Sequence, residues 1–175
     1  MADRRMLFRR GLALAALVLL LDQISKWWIV EIVRLQDIGA IELLPFFDLT
    51  FVRNFGVSFG MLRAGSDIER WGLMLLSAGI ATVFLVWMRS AERRMTVAAL
   101  AMVVGGALGN MIDRLRFGYV VDFLDFSGLF FPWVFNVADA GISVGAALLV
   151  LDYVAHGEGK PAPKPVSGAG DPPGA

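Results

Sequence analysis

Four aspartates and two asparagines gather in the second half of an otherwise greasy chain, in NMIDRLRFGYVVDFLDF (Asn110 to Phe126) and FNVADAG (Phe135 to Gly141). The pattern N-x-x-D occurs twice, as Asn110 with Asp113 and as Asn136 with Asp139. Three-residue spacing puts amide and carboxylate on one helical face, where the amide can hold the carboxylate or a ligand. Asn and Asp also favour helix ends, so capping explains either pair taken alone. Two pairs at the ends of apolar segments point further, because acids within membrane segments mark functional sites. Asp122 lies in YVVDFLDF, with apolar neighbours on both sides. A carboxyl group in such surroundings resists ionisation, and a second acid nearby strengthens the effect. Such a pair shares a proton, so one member can activate water while the other donates a hydrogen bond. Asp125 fits an acid on an exposed loop. Arg114, beside Asp113, either neutralises that acid or binds an anion.

Two further groups carry charge or amides in unusual places. Asp22 and Lys26 are four apart within an apolar run, so they share a helix face. An ion pair that fixes helix packing is the first reading, and contact with a substrate headgroup or the active site is the second. Asn54, in VRNFGVSFG, serves turn chemistry or a ligand equally well.

Other chemistries are poorly served. The chain has no cysteine and a single histidine, His156, near its C-terminal end. Disulfides and thiolate metal sites are excluded, and zinc would have to be held by carboxylates alone, against its usual preference. No phosphate-binding glycine loop and no G-x-S-x-G occur. A carboxylate dyad is the remaining route to hydrolysis. Formal net charge is zero, which argues against a nucleic-acid partner.

The elements that must position these residues are membrane helices. Hydrophobic residues make up 57% of the 175, with mean hydropathy +0.66, against roughly 45–50% for a soluble domain. Four apolar segments approach the ~20 residues that cross a bilayer: Gly11 to Val30, Trp71 to Met88, about Met95 to Ile112, and about Val137 to Val154. GGALG and AGISVGAA in the last two suit close helix packing. The first lacks a small-x-small cleavage site and is expected to be retained. Arg4, Arg5, Arg9 and Arg10 precede it, and Arg89, Arg93 and Arg94 fill the link between the second and third. The positive-inside rule then places both termini in the cytoplasm and two loops outside, Glu31 to Arg70 and Asp113 to Asn136. Trp27, Trp28 and Trp133 suit an interfacial aromatic belt. FFDLTFVRN alternates as a strand, and a small β-sheet on the outer face is expected from the first loop. SDIE (Ser66 to Glu69) matches a capping box ahead of the second helix. The reading is an all-α integral membrane protein, with one domain over 1–155 and a Pro/Gly-rich, disordered cytoplasmic tail over 156–175.

Taken in order, LDQISK, VRNFGVSFG, GGALGNMIDRL, VVDF and FNVADAGISVG resemble the bacterial lipoprotein signal peptidases, the type II signal peptidases. The resemblance spans about Leu21 to Gly145. It implies a four-helix aspartic peptidase of the inner membrane that cuts prolipoproteins just before a diacylglyceryl-modified cysteine. It places the catalytic pair at Asp122 and Asp139. Asp22, Lys26, Asn54, Gly56, Asn110, Asp113, Arg114 and Asn136 fall on positions that support the site or bind substrate. Val57 and Ser58 stand where the family often has small residues such as alanine. The implied partners are the lipidated precursor and membrane lipids, with no metal or organic cofactor. Two other functions compete. A metal-dependent lipid-phosphate enzyme would use Arg114 for phosphate but should space its acids to grip a metal. A small transporter would set its acids near the bilayer midplane.

Overall fold

The computed structural model describes residues 2–56, 67–129 and 133–157. Its helices are α1 (Ala2–Trp27), a short α2 (Leu35–Ile38), α3 (Asp67–Ser90), α4 (Arg94–Phe117) and α5 (Val137–Gly157). A π-helical turn, Trp28–Val33, prolongs α1 and ends at Arg34, whose φ of 53° reverses the chain. Four helical segments are long and apolar enough to cross a membrane: Asp3–Val33, Asp67–Ser90, Arg94–Phe117 and Val137–His156. Large apolar side chains such as Leu75, Val83, Val150 and Tyr153 point outward, as lipid-facing residues do. Trp27, Trp28 and Trp133 are also exposed.

Helix α4 is the centre of the bundle and packs against α1, α3 and α5. Its small residues allow this. A Cβ on Gly106 would strike the carbonyl oxygen of Ala138 on α5, and one on Gly109 would lie 2.5 Å from the Asp22 carboxylate on α1. Backbones therefore approach closely here, and the polar groups of three helices are drawn together.

The sheet is antiparallel with order β1-β2-β3-β4: β1 is Ala40–Leu44, β2 Phe47–Asn54, β3 Val120–Asp125 and β4 Val134–Phe135. It is thus larger than the first loop alone supplies, because the segment between α4 and α5 adds two strands. Ile29, Leu35, Leu49, Val121 and Phe123 form its apolar core against the bundle's end. Side chains alternate along β3, so while Val121 and Phe123 enter that core, Asp122 faces the other way.

Three expected boundaries shift. Helix α4 runs on through Phe117, so Asp113 and Arg114 are helical rather than the start of a loop. Gly118, in the left-handed conformation at φ 82°, stops it. Asp122 stands on a strand, and α5 continues to Gly157. In α4 the apolar run ends before the helix does, because its last turns carry Asp113, Arg114 and Arg116. The expectations for Val57, Ser58, the Ser66 cap and most of the tail lie outside the described residues.

The two basic clusters meet at one end of the bundle, where Arg4 of α1 pairs with Glu92 of the α3–α4 link. Asp22, Asp113, Asp122 and Asp139 collect at the other end.

Candidate active site

Asp122 is 1% exposed and accepts two side-chain hydrogen bonds. Asn136 Nδ2 donates to its Oδ1 at 2.6 Å, and Asn54 Nδ2 donates to its Oδ2 at 3.0 Å. Asn54 reaches it diagonally across the β2–β3 pair, being registered with Val120 while Val52 faces Asp122. Asn54 Oδ1 also accepts from the Gly56 amide at 2.9 Å, and Gly56 has φ 111°. Asn54 is therefore more than a turn residue, since its carbonyl holds the turn while its amide holds Asp122. A glycine is required at 56 by that backbone angle.

Asn136 joins Asp122 to Asp139. Its Oδ1 accepts from the Asp139 backbone amide at 2.9 Å, a helix cap on α5, while its amide nitrogen reaches Asp122. The Asp139 carboxylate accepts from Asn110 Nδ2 at 2.7 Å and from the Asn136 backbone amide at 3.4 Å. The two N-x-x-D motifs therefore behave differently. Asn136 caps and bridges, whereas Asn110 turns away from Asp113 and serves Asp139 on the neighbouring helix.

Asp113 belongs to a separate buried cluster. Lys26 Nζ lies 2.9 Å from Asp22 Oδ2, 2.8 Å from Asp113 Oδ2 and 3.2 Å from Asn110 Oδ1. Asp22 and Lys26 thus form the expected i,i+4 pair, and Asp113 completes a triad. Asp22 Oδ1 also accepts from the Ala138 amide at the start of α5, and Asp113 Oδ2 accepts from the Val121 amide of β3. One lysine and two carboxylates so tie α1, α4, α5 and the sheet together. Asn110 links this cluster to Asp139.

Sequence reasoning missed one member and mispaired another. Gln23 Nε2 donates to Asp22 Oδ2 at 3.1 Å, Asp113 Oδ1 at 3.0 Å and the Gly109 carbonyl at 3.3 Å. The available signal was an amide inside an apolar helix, which must find partners there. Arg114 does not pair with its neighbour Asp113, whose cation is Lys26. Its Nη1 donates to the Asn110 carbonyl at 3.3 Å, and its buried Nε has no hydrogen-bond partner among the described residues. The guanidinium still interacts electrostatically with Asp139, Asp113 and Asp122. Adjacent helical residues project about 100° apart, which is why neighbours in sequence are not partners here. Asp125 is half-buried rather than loop-exposed. It accepts from Thr50 and the Ser127 amide, the latter bond chiefly holding its carboxyl below the usual range.

Burial, and secondarily the charge of Asp139, push the Asp122 carboxyl up to about 7, against the opposing hydrogen bonds from Asn54 and Asn136. Among the described residues, no three His, Cys, Asp or Glu side chains converge in an arrangement that would hold a metal ion. The acids are separated instead by asparagine amides.

A family model described as signal peptidase (SPase) II matches residues 14–155. The chain belongs to the signal peptidase II family. The lipoprotein signal peptidase of Rhizorhabdus wittichii is 53% identical over 154 residues, covering 86% of this chain and 90% of that protein. That of Caulobacter vibrioides is 47% identical, covering 85% and 88%. Two solved bacterial membrane enzymes share the fold: one at TM-score 0.74 and 26% identity, covering 89% of this chain and 93% of that one, the other at 0.72 and 27%, covering 84% and 94%. As a signal peptidase II, the chain is a multi-pass membrane protease. Nothing in these similarities favours the metal-dependent lipid-phosphate alternative.

Proposed function

We propose that this signal peptidase II removes signal peptides from prolipoproteins by cutting before a diacylglyceryl-modified cysteine, with Asp122 and Asp139 as its catalytic pair. The observation that carries the assignment is Asn136, whose side-chain amide donates to the Asp122 carboxylate while its carbonyl caps the Asp139 backbone amide and its own backbone amide donates to the Asp139 carboxylate. Asp122, buried and with its carboxyl raised to about 7, is the member that carries the proton. Asp139 acts as the base and takes a proton from water, which attacks the scissile carbonyl. Asp122 protonates the carbonyl oxygen, giving a gem-diol. On collapse the C–N bond breaks, the departing amine of the lipidated cysteine takes the proton from Asp139, and a gem-diol hydroxyl returns one to Asp122. Arg114 supplies a cation beside this chemistry, and Lys26, Asp22, Asp113 and Gln23 hold the scaffold.

The site's place at one end of the bundle suits a substrate whose acyl chains remain in lipid. Purified protein should cleave a diacylglyceryl-modified precursor in excess EDTA, and an unlipidated precursor on the order of a hundredfold more slowly or worse. Equal rates on the two substrates would refute lipid-dependent recognition, and loss of activity on chelation would refute the metal-free dyad.

Asp122 also sets a pH dependence. Its protonated form is the active one, so turnover should fall as pH rises through about 7. Asn54→Ala removes a donor that stabilises the ionised form, so the falling limb should move to higher pH. A limb that stays put or moves down would take Asp122 out of the acid role.

The orientation we propose has cytoplasmic termini and an outward site in the bacterial inner membrane, because two arginine clusters, Arg4 to Arg10 and Arg89 to Arg94, flank the helices at the opposite end of the bundle. A reporter active only outside the cytoplasm should be active when fused after Arg53 or Gly118 and silent after Arg94. The reverse pattern would overturn the assignment.

A further inference from the structure

At the arginine-rich end, far from the aspartates, α1 and α4 leave a groove of about 140 Å³ between them. Leu7, Leu14 and Val97 line it, with Arg10 and Arg94 among its walls. Gly11 lets the helices close beneath it, since a Cβ there would meet Met88 Sδ at 2.5 Å and Val97 Cγ1 at 2.8 Å. Several of the surrounding charges are engaged elsewhere, and Arg5 and Arg9, which lack a carboxylate partner among the described residues, do not line the groove. Arg4 holds Glu92, Arg93 lies 3.6 Å from Asp152, which also accepts from Thr96, and Arg89 lies over the Phe8 ring. Asp3 does not line the groove. Arg10 and Arg94 have no carboxylate partner among the described residues, although both are exposed.

We propose that this groove binds one anionic phospholipid, its phosphate between Arg10 and Arg94 and an acyl chain along Leu7, Leu14 and Val97. Charge complementarity selects the occupant. Two unpaired guanidiniums at a membrane boundary offer forked donors that match a phosphate, and the apolar floor between them offers nothing to a soluble anion. A zwitterionic lipid would bring its own cation against the arginines. The site is independent of catalysis and lies at the opposite end of the bundle.

The test uses the full chain in detergent, with bound lipid counted by native mass spectrometry during titration with phosphatidylglycerol or phosphatidylcholine. Wild type should retain one phosphatidylglycerol in preference to phosphatidylcholine. Arg10→Gln with Arg94→Gln should weaken phosphatidylglycerol binding roughly thirtyfold while leaving phosphatidylcholine binding unchanged. Arg5→Gln with Arg9→Gln removes the same charge from the same end but not from the groove, and should stay close to wild type. Unchanged precursor cleavage by both double variants in detergent reports that they are folded. Equal retention of the two lipids, or an equal loss in both double variants, would overturn the proposal. Displacement of the lipid by millimolar inorganic phosphate would overturn it too, in favour of a free-phosphate site.

Discussion

Asp122→Asn and Asp139→Asn should each lower turnover by roughly 10³-fold or more, while the protein still inserts, melts cooperatively and binds lipidated precursor. Either amide removes a group that must exchange a proton in the proposed cycle. Neither breaks a direct ion pair, because Asp122 is held by the neutral amides of Asn54 and Asn136, and Asp139 by Asn110 and a backbone amide. Arg114 keeps the charge of Asp113 and of the remaining acid nearby. Asp113→Asn is the discriminating control. The sequence offers Asp113 and Asp139 as a symmetric pair, since each ends an N-x-x-D motif. Yet both oxygens of Asp113 are already occupied, one by Gln23 and the other by Lys26 and the Val121 amide. A carboxylate so engaged is an anchor. Asp113→Asn should therefore reduce thermal stability and leave measurable cleavage. A well-folded but inactive Asp113→Asn, beside an Asp122→Asn that still cuts, would move the dyad to Asp113 and Asp139.

Lys26→Met should be the most damaging single change to the fold. It leaves Asp22 and Asp113 facing each other at 0% and 1% exposure without their shared cation. Breaking a buried ion pair by removing one partner costs about 3–5 kcal/mol, and here two carboxylates lose it together. The total stability of a domain is only about 5–15 kcal/mol, so the variant should yield little folded protein. A second substitution, Asp113→Asn, should restore much of the lost melting temperature, because it removes one of the two stranded charges. The two readings of Lys26 separate cleanly here. If Lys26→Met folds like wild type and loses only substrate affinity, the lysine contacts the substrate headgroup and the packing account fails.

The spans, the acids and the kind of chemistry were legible from local pattern. Apolar runs of membrane length, arginines at one set of ends and paired asparagine-aspartate motifs need no tertiary information, because bilayer thickness and helical periodicity impose them residue by residue. The Asp22–Lys26 pair was legible for the same reason, as its partners are one helical turn apart. Partners distant in sequence were not. That Lys26 takes Asp113, that Gln23 bridges Asp22 and Asp113, and that Asn110 serves Asp139 all depend on how closely α4 packs on α1 and α5. Arg114, adjacent to Asp113 in sequence, ends without it because consecutive helical side chains diverge. The strand that carries Asp122 was hidden too, since its hydrogen-bonding partner β2 lies some seventy residues earlier and only the folded bundle brings the two together. Sequence alone determined which segments are long and apolar enough to cross a membrane and which of their residues are chemically unusual. Tertiary structure decided which of those face one another, because contacts between helices follow from backbone approach at Gly106 and Gly109, and no local periodicity encodes that approach.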